Sequence, residues 1–325
     1  MTHKIVAAIA AALALSCSHG ARAAEAGHCK MDAVDAAWVR GAVTNWDFVA
    51  REKLRLASGV MPETTVFDKT CAYALVRGAS PVRWNAKAHH GKVRLPDGSE
   101  IPVGVVSFAK PDAKGTFFVM SLPSVWRGKV TSGLGLERLM HAVALHESSH
   151  TVQAAVLARQ LDDLERVYGF PEDITDDSLQ ETFSGKPGYV ADYEKERDLF
   201  YAAATASDPA EARRRAREGL AAYRARRAKW FTGDAKKYAA LDEVFLSMEG
   251  LGQWAGYAWL VDARGANVDP GVALKEMRRG GKHWTQEEGL AIFMVLDRLL
   301  PQWQARFFRS EPTTLEDALA AAVEG

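Results

Sequence analysis

Between residues 135 and 160 one apolar stripe carries two histidines, and this constrains the chain more than any other feature. Leu136, Leu139, Val143, His146, His150, Ala154 and Leu157 recur at steps of three and four, the spacing that lines up side chains on one helix face. It predicts a single helix over 135–160 with His146 and His150 on its buried side. Buried imidazoles and a buried carboxylate are costly unless paired or bound to a cation. The segment His146-Glu147-Ser148-Ser149-His150 reads H-E-x-x-H. The two imidazoles can therefore grip one zinc ion, with Glu147 beside a zinc-activated water as general base. Structural histidines, each with its own hydrogen-bond partner, are the competing reading.

The ends of the chain point to export. His3 and Lys4 form a short basic start, 5–15 is an apolar run too short to span a bilayer, and Ala21-Arg22-Ala23 fits a cleavage pattern. A signal peptide over 1–23 is expected, with a periplasmic or secreted destination; Cys17 as a lipid-attachment site is the weaker match. Its removal takes Lys4 and Arg22 from 41 basic residues and nothing from 41 acidic ones, which leaves a net charge of −2. That balance implies neither nucleic acid nor a strongly acidic partner, and no later stretch is apolar enough to cross a membrane. Cys29 and Cys71 remain, and in an oxidising compartment an even pair is most simply one disulfide; two buried free thiols are the alternative.

The rest divides by element type. The segment 31–56 reads as a helix, with Val34, Trp38, Ala42, Trp46 and Val49 roughly on one side. Its tryptophans suit a core better than a propeptide. The β-branched and aromatic run 64–76 reads as one strand. Val93-Arg94-Leu95 and Ile101-Pro102-Val103 flank the turn Pro96-Asp97-Gly98-Ser99 as a hairpin, and 107–109 and 116–122 read as two further strands. Helices follow at about 189–206, 209–231, 236–262, 270–279, 285–299 and 313–323, with Asp208 as N-cap and Pro209 at the first position of the second. The expectation is α+β: an N-terminal region over 24–130 with a small, mainly antiparallel sheet, then a mostly helical region over 131–325. The seven arginines between 211 and 229 read as a solvated helix face with a few ion pairs rather than an anion-binding surface.

A catalytic zinc usually has three protein ligands. Glu249 stands among apolar neighbours in Met248-Glu249-Gly250-Leu251-Gly252, where a lone carboxylate needs a reason and the following glycine would let the helix approach closely. Glu194 and Glu196 are the alternatives, with Asp198 one turn beyond Glu194 and able to orient a ligand histidine. Glu288-Gly289 is a second Glu-Gly pair and a more distant candidate. These patterns resemble the gluzincin metallopeptidases, in which H-E-x-x-H is completed by a downstream glutamate. His146 to Gln153 with Glu249-Gly250-Leu251-Gly252 is similar to the aminopeptidase and bacterial collagenase arrangement; Glu194-x-x-x-Asp198 is similar to that of thermolysin-like relatives. The spacing from His150 to Glu249 is much longer than in aminopeptidases. The resemblance covers 135–262, and 284–303 is similar to C-terminal parts of secreted bacterial H-E-x-x-H proteins.

The resemblance implies a zinc metallopeptidase acting on a peptide or protein substrate, with 117–122 as the edge strand along which the substrate lies. Tyr257 is a possible oxyanion donor, as are Tyr193, Tyr201 and His283. A non-peptidase zinc amidohydrolase and a catalytically inactive zinc-binding secreted protein are the other two readings.

Overall fold

The computed structural model describes residues 29–76, 79, 82–112, 115–171, 174–309 and 312–324, so the expected signal peptide and Cys17 lie outside the described residues. The fold is α+β, a small mainly antiparallel sheet followed by helices. Helix α1 (Ala33–Phe48) is capped by Asp32, whose carboxylate accepts the Asp35 amide. The chain then widens into a π-type turn over Val49–Lys53 instead of continuing as helix to residue 56. Of the expected stripe, Trp38, Ala42, Trp46 and Val49 are buried and Val34 is exposed.

Strands β1 (Glu63–Phe67), β2 (Cys71–Leu75), β3 (Trp84–Ala88), β6 (Ser107–Asp112) and β7 (Gly115–Ser121) form one sheet in the order β3-β2-β1-β7-β6, with only β1 and β7 parallel. The hairpin β4 (Lys92–Arg94) and β5 (Glu100–Pro102) pairs by itself. Two sequence expectations change here. The run 64–76 is two strands, because Asp68 turns the chain: its Oδ1 accepts the Thr70 and Cys71 amides, each at 2.7 Å. The segment 117–122 is not at an edge, since β7 sits between β1 and β6; the edges of this sheet are β3 and β6, and β6 is the one beside β7.

Alternation along β7 joins two layers. Phe117 and Val119 pack on one face with Phe67, Val93 and Leu95, so the β4–β5 hairpin roofs the outer side of the sheet. Phe118 and Met120 point the other way, into a core shared with Trp46, Met140, Leu251 and Phe293. Cys29 and Cys71 form a disulfide across 42 residues; closing a loop of that length removes roughly 4 kcal/mol of unfolded-state entropy.

Helices α2 (Pro123–Trp126) and α3 (Leu136–Arg166) follow, then α4 (Ser178–Phe183), α5 (Pro187–Thr205), α6 (Pro209–Trp230), α7 (Tyr238–Val261), α8 (Pro270–Met277), α9 (Trp284–Leu299), α10 (Gln304–Phe307) and α11 (Leu315–Glu324). Asp208 caps α6 with Pro209 in its first turn. Helix α3 rests on β6 and β7 with one flank and on α7 with another, and α7 packs in turn against α9. A Cβ on Gly250 would lie 2.5 Å from the Gly289 Cα. The α7–α9 crossing is thus backbone on backbone, and it fixes the depth at which α7 meets α3. No helix among the described residues is long and apolar enough to cross a membrane.

Candidate metal centre

The site lies where α3, α7 and β6 meet. His146, Glu147 and His150 come from the middle of α3, fully inside the packing, and Glu249 comes from α7 opposite. Their exposures are 5, 1, 3 and 1 %. One Nε2 or carboxylate oxygen from each of His146, His150 and Glu249 lies within 4.8 Å of the others. The two Nε2 atoms are 2.8 Å apart, and Glu249 places Oε2 3.2 Å from His146 Nε2 and Oε1 3.3 Å from His150 Nε2. Neither carboxylate oxygen has a hydrogen-bond partner. The two imidazoles contact each other and flank Glu249, but the buried carboxylate oxygens keep acceptor capacity that no hydrogen bond fills, an arrangement a cation can complete. The group therefore could hold a metal ion.

The ligand set is braced. Gln153 donates from Nε2 to the Ser247 carbonyl at 3.0 Å, which turns its oxygen toward His150 Nδ1, 3.1 Å away. His150 Nδ1–H donates to that oxygen, and Nε2 is thereby aimed at Glu249. Gly252 does the same for His146 by absence: a Cβ there would stand 2.8 Å from the ring's Nδ1. The glycine that lets α7 approach the histidines is therefore Gly252, while Gly250 serves the contact with α9.

Burial and the neighbouring groups set the charge of each side chain here. Burial works against charge on His150, but Glu249 opposite outweighs it and pushes the imidazole up to about 9. Burial and the His150 charge push His146 down. Burial alone would raise Glu249, yet the two imidazoles hold it well below the usual carboxylate range. Glu147 is pushed up to about 7, first by burial. Its Oε1 accepts from Ser107 Oγ at 3.3 Å, the Ala109 amide contributes a second β6 contact, and Oε2 is buried without a partner. The edge strand thus touches the acid between the histidines.

The other sequence candidates lie elsewhere. Glu194 is exposed. Glu196 is buried against Arg226, at 2.7 Å. Asp198 is exposed and pairs with Arg197 at 2.9 Å, so it orients no ligand histidine. Glu288 faces the same Arg226 from 3.8 Å. Tyr257 feels Asp269 and no group of the centre. Tyr193 and Tyr201 donate to the Trp284 and Glu287 carbonyls at 3.2 and 2.7 Å, and His283 sits 3.4 Å from Asp177.

Four contributors had escaped the sequence reading: Gln153, Ser107, Asp176 and Arg279. Gln153, three residues beyond His150 on the same helix, had a legible spacing; the others arrive from loops and a strand with no local signal. Asp176 is buried, and burial followed by the Glu249 charge raises its carboxyl well above the usual range. Arg279 follows α8 in the turn Arg279–Gly281. Burial lowers its guanidinium, and the charges of Glu147, Glu249 and Asp176 oppose that. No protein-family model matches the chain, and no curated protein or solved structure matches it at a significant level.

Proposed function

We propose that this chain is a zinc-dependent hydrolase that cuts amide bonds in peptides, with His146, His150 and Glu249 as zinc ligands and Glu147 as general base. One observation carries the reading: three buried donor groups converge within 4.8 Å, and the acid beside them keeps one oxygen without a partner. Two imidazoles and one carboxylate suit zinc, and three protein ligands leave the open position of a catalytic site. Bound there, zinc would supply a Lewis acid for the scissile carbonyl and lower the pKa of water toward neutrality.

Glu147 takes the proton of the attacking water and hands it to the leaving nitrogen. Burial helps it in this task, because it raises the carboxyl and so favours taking up the proton. Ser107 holds the carboxylate in place. Among the described residues β6 pairs only with β7, so an extended peptide laid along its open side would run past Glu147. The Cys29–Cys71 disulfide suits an oxidising compartment, in keeping with export to the periplasm or beyond.

The test is metal analysis joined to hydrolysis assays on peptides and on cell-wall amides, for wild type and Glu147→Gln. Both should hold about one zinc per chain, and the variant should lose about 10²- to 10⁴-fold in turnover. Wild-type protein that stays metal-free under zinc-replete conditions would refute the reading, as would activity that survives Glu147→Gln. Cleavage of cell-wall amides alone would make it an amidohydrolase; zinc without turnover would make it a binding protein.

A further inference from the structure

A hydrolase that adds water to an amide carbonyl needs a donor for the oxygen on which charge develops, and the tyrosines and histidine considered for that task are committed or remote. Tyr193 and Tyr201 give their hydroxyl protons to backbone carbonyls, His283 faces Asp177, and Tyr257 lies away from the centre. One strong donor beside the centre is uncommitted. Among the described residues the Arg279 guanidinium makes no hydrogen bond and no ion pair, although its charge faces Glu147, Glu249, Asp176 and His146. The contrast with its neighbour is direct: Arg278 is spent on Glu287, at 2.7 Å, and on the face of Tyr201.

The backbone at Arg279 points the same way. Its φ is +49°, in the left-handed region that disfavours a side chain, and it is followed by Gly280 at +66° and Gly281 at +76°. Two glycines make that bend at no steric cost; an arginine does not. No hydrogen bond or ion pair among the described residues offsets the strain of this half-buried arginine, and strain of this kind is retained where a side chain has a task.

We infer that Arg279 is a catalytic residue that donates to the substrate's carbonyl oxygen as it becomes an oxyanion. This rests on the hydrolase reading above. When the water oxygen bonds to the carbonyl carbon, its proton passes to Glu147 and the carbonyl π pair moves onto oxygen, beside the guanidinium. When the C–N bond breaks, the pair on oxygen re-forms the carbonyl, the bonding electrons leave with nitrogen, and Glu147 returns the proton there.

The test uses zinc-loaded full-length protein and a phosphinic dipeptide, whose anionic tetrahedral phosphorus mimics the attacked carbonyl. Arg279→Met should keep its zinc, bind the phosphinate about 100-fold more weakly and lose about as much in kcat, with KM little changed. Arg279→Lys, which keeps the charge but not the fork, should fall between. Arg279→Gly should lose the phosphinate yet melt no lower than wild type, because it relieves the bend. Zinc retained with unchanged phosphinate affinity in Arg279→Met would overturn the role of Arg279 alone, and so would an Arg279→Gly protein melting well below wild type, which marks a structural counter-charge. A wild type that binds no zinc would overturn this inference together with the hydrolase reading.

Discussion

Two Glu-Gly pairs meet back to back where α7 crosses α9, and they lead to opposite outcomes. Gly250 and Gly289 touch, and the glutamates before them enter separate buried pockets. Glu288 joins a cluster built around a buried guanidinium, in which Glu288 Oε1 and Asp242 Oδ1 still lack a hydrogen-bond partner. There Arg226 is bonded to Glu196 at 2.7 and 3.0 Å, to Asp242 at 3.2 Å and to the Tyr189 hydroxyl at 2.7 Å, Arg227 adds a bond to Asp242 at 2.9 Å, and burial raises Glu288 well above the usual carboxylate range. Glu249 joins two histidines, and both of its oxygens remain without a hydrogen-bond partner. Buried charge therefore does not mark a metal centre by itself. What separates the pockets is the kind of charge beside the acid: a permanently charged guanidinium in one, two titratable imidazoles in the other.

The largest expected effect comes from removing that internal cation. Arg226→Met leaves Glu196 buried without its cation and Asp242 with Arg227 alone, and should destabilise the fold by about 3–5 kcal/mol. Urea or thermal unfolding would measure it, and zinc affinity should not change in the folded fraction. A variant as stable as wild type would erase the distinction between the pockets. Next in size is the effect of supplying the cation to the other pocket. Zinc at 100 times its Kd should stabilise wild type by about 2.7 kcal/mol, and a chelator should remove the gain. In Glu249→Gln the affinity should drop beyond the roughly 100-fold that even an outer-shell partner can command. A melting shift with zinc as large as in wild type would take Glu249 out of the ligand set.

The two pockets also differ in how far the sequence reveals them. The histidines and Glu147 lie within five residues, so helix periodicity alone sets their geometry. Glu249 is a hundred residues away, yet its solitary charge in an apolar run is legible because burial without a partner is so unfavourable. Glu194, Glu196 and Asp198 could not be judged that way. Their segment is rich in charge, and only the packing of α5 on α6 shows that Glu196 turns inward to Arg226 while Glu194 and Asp198 face outward. The long arginine-rich face behaves as expected at Arg214 and Arg215, which pair with Glu211 and Glu218, but the full burial of Arg226 has no local cue. The edge strand fails for a topological reason: a parallel pairing of β1 with β7 leaves no trace in either strand, so β7 could not be recognised as interior.

A smaller effect tests the brace rather than the ligands. Gly252→Ala puts a methyl into the His146 ring and should displace it, with a loss of about 10- to 100-fold in zinc affinity and little change in metal-free stability. Titration with a competing chelator would read it. Affinity equal to wild type would mean that α7 can withdraw, and that the Gly250–Gly289 contact does not set its depth.

The smallest effect concerns a third histidine on α3 that serves neither pocket. His141 stacks on Trp38 with ring centroids 5.1 Å apart and meets Trp259 edge-on at 5.5 Å, and its Nδ1 is buried without a partner. No carboxylate faces it, so burial alone acts and pushes it down to about 4. The unfolded chain takes up this proton near 6.5 and the folded protein does not until about 4. Its contribution is therefore complete above pH 6.5 and drains away as the pH falls from 6.5 to 4. Because the ring is only partly buried, the loss should be about 1–2 kcal/mol across that window. His141→Phe should flatten the stability curve by that amount between pH 6.5 and 4, in chelator, with the slope above pH 7 unchanged. His150, one helix face away, takes the opposite sign because Glu249 is present. If the two curves run parallel, the nearby carboxylate is not what divides the histidines of this helix.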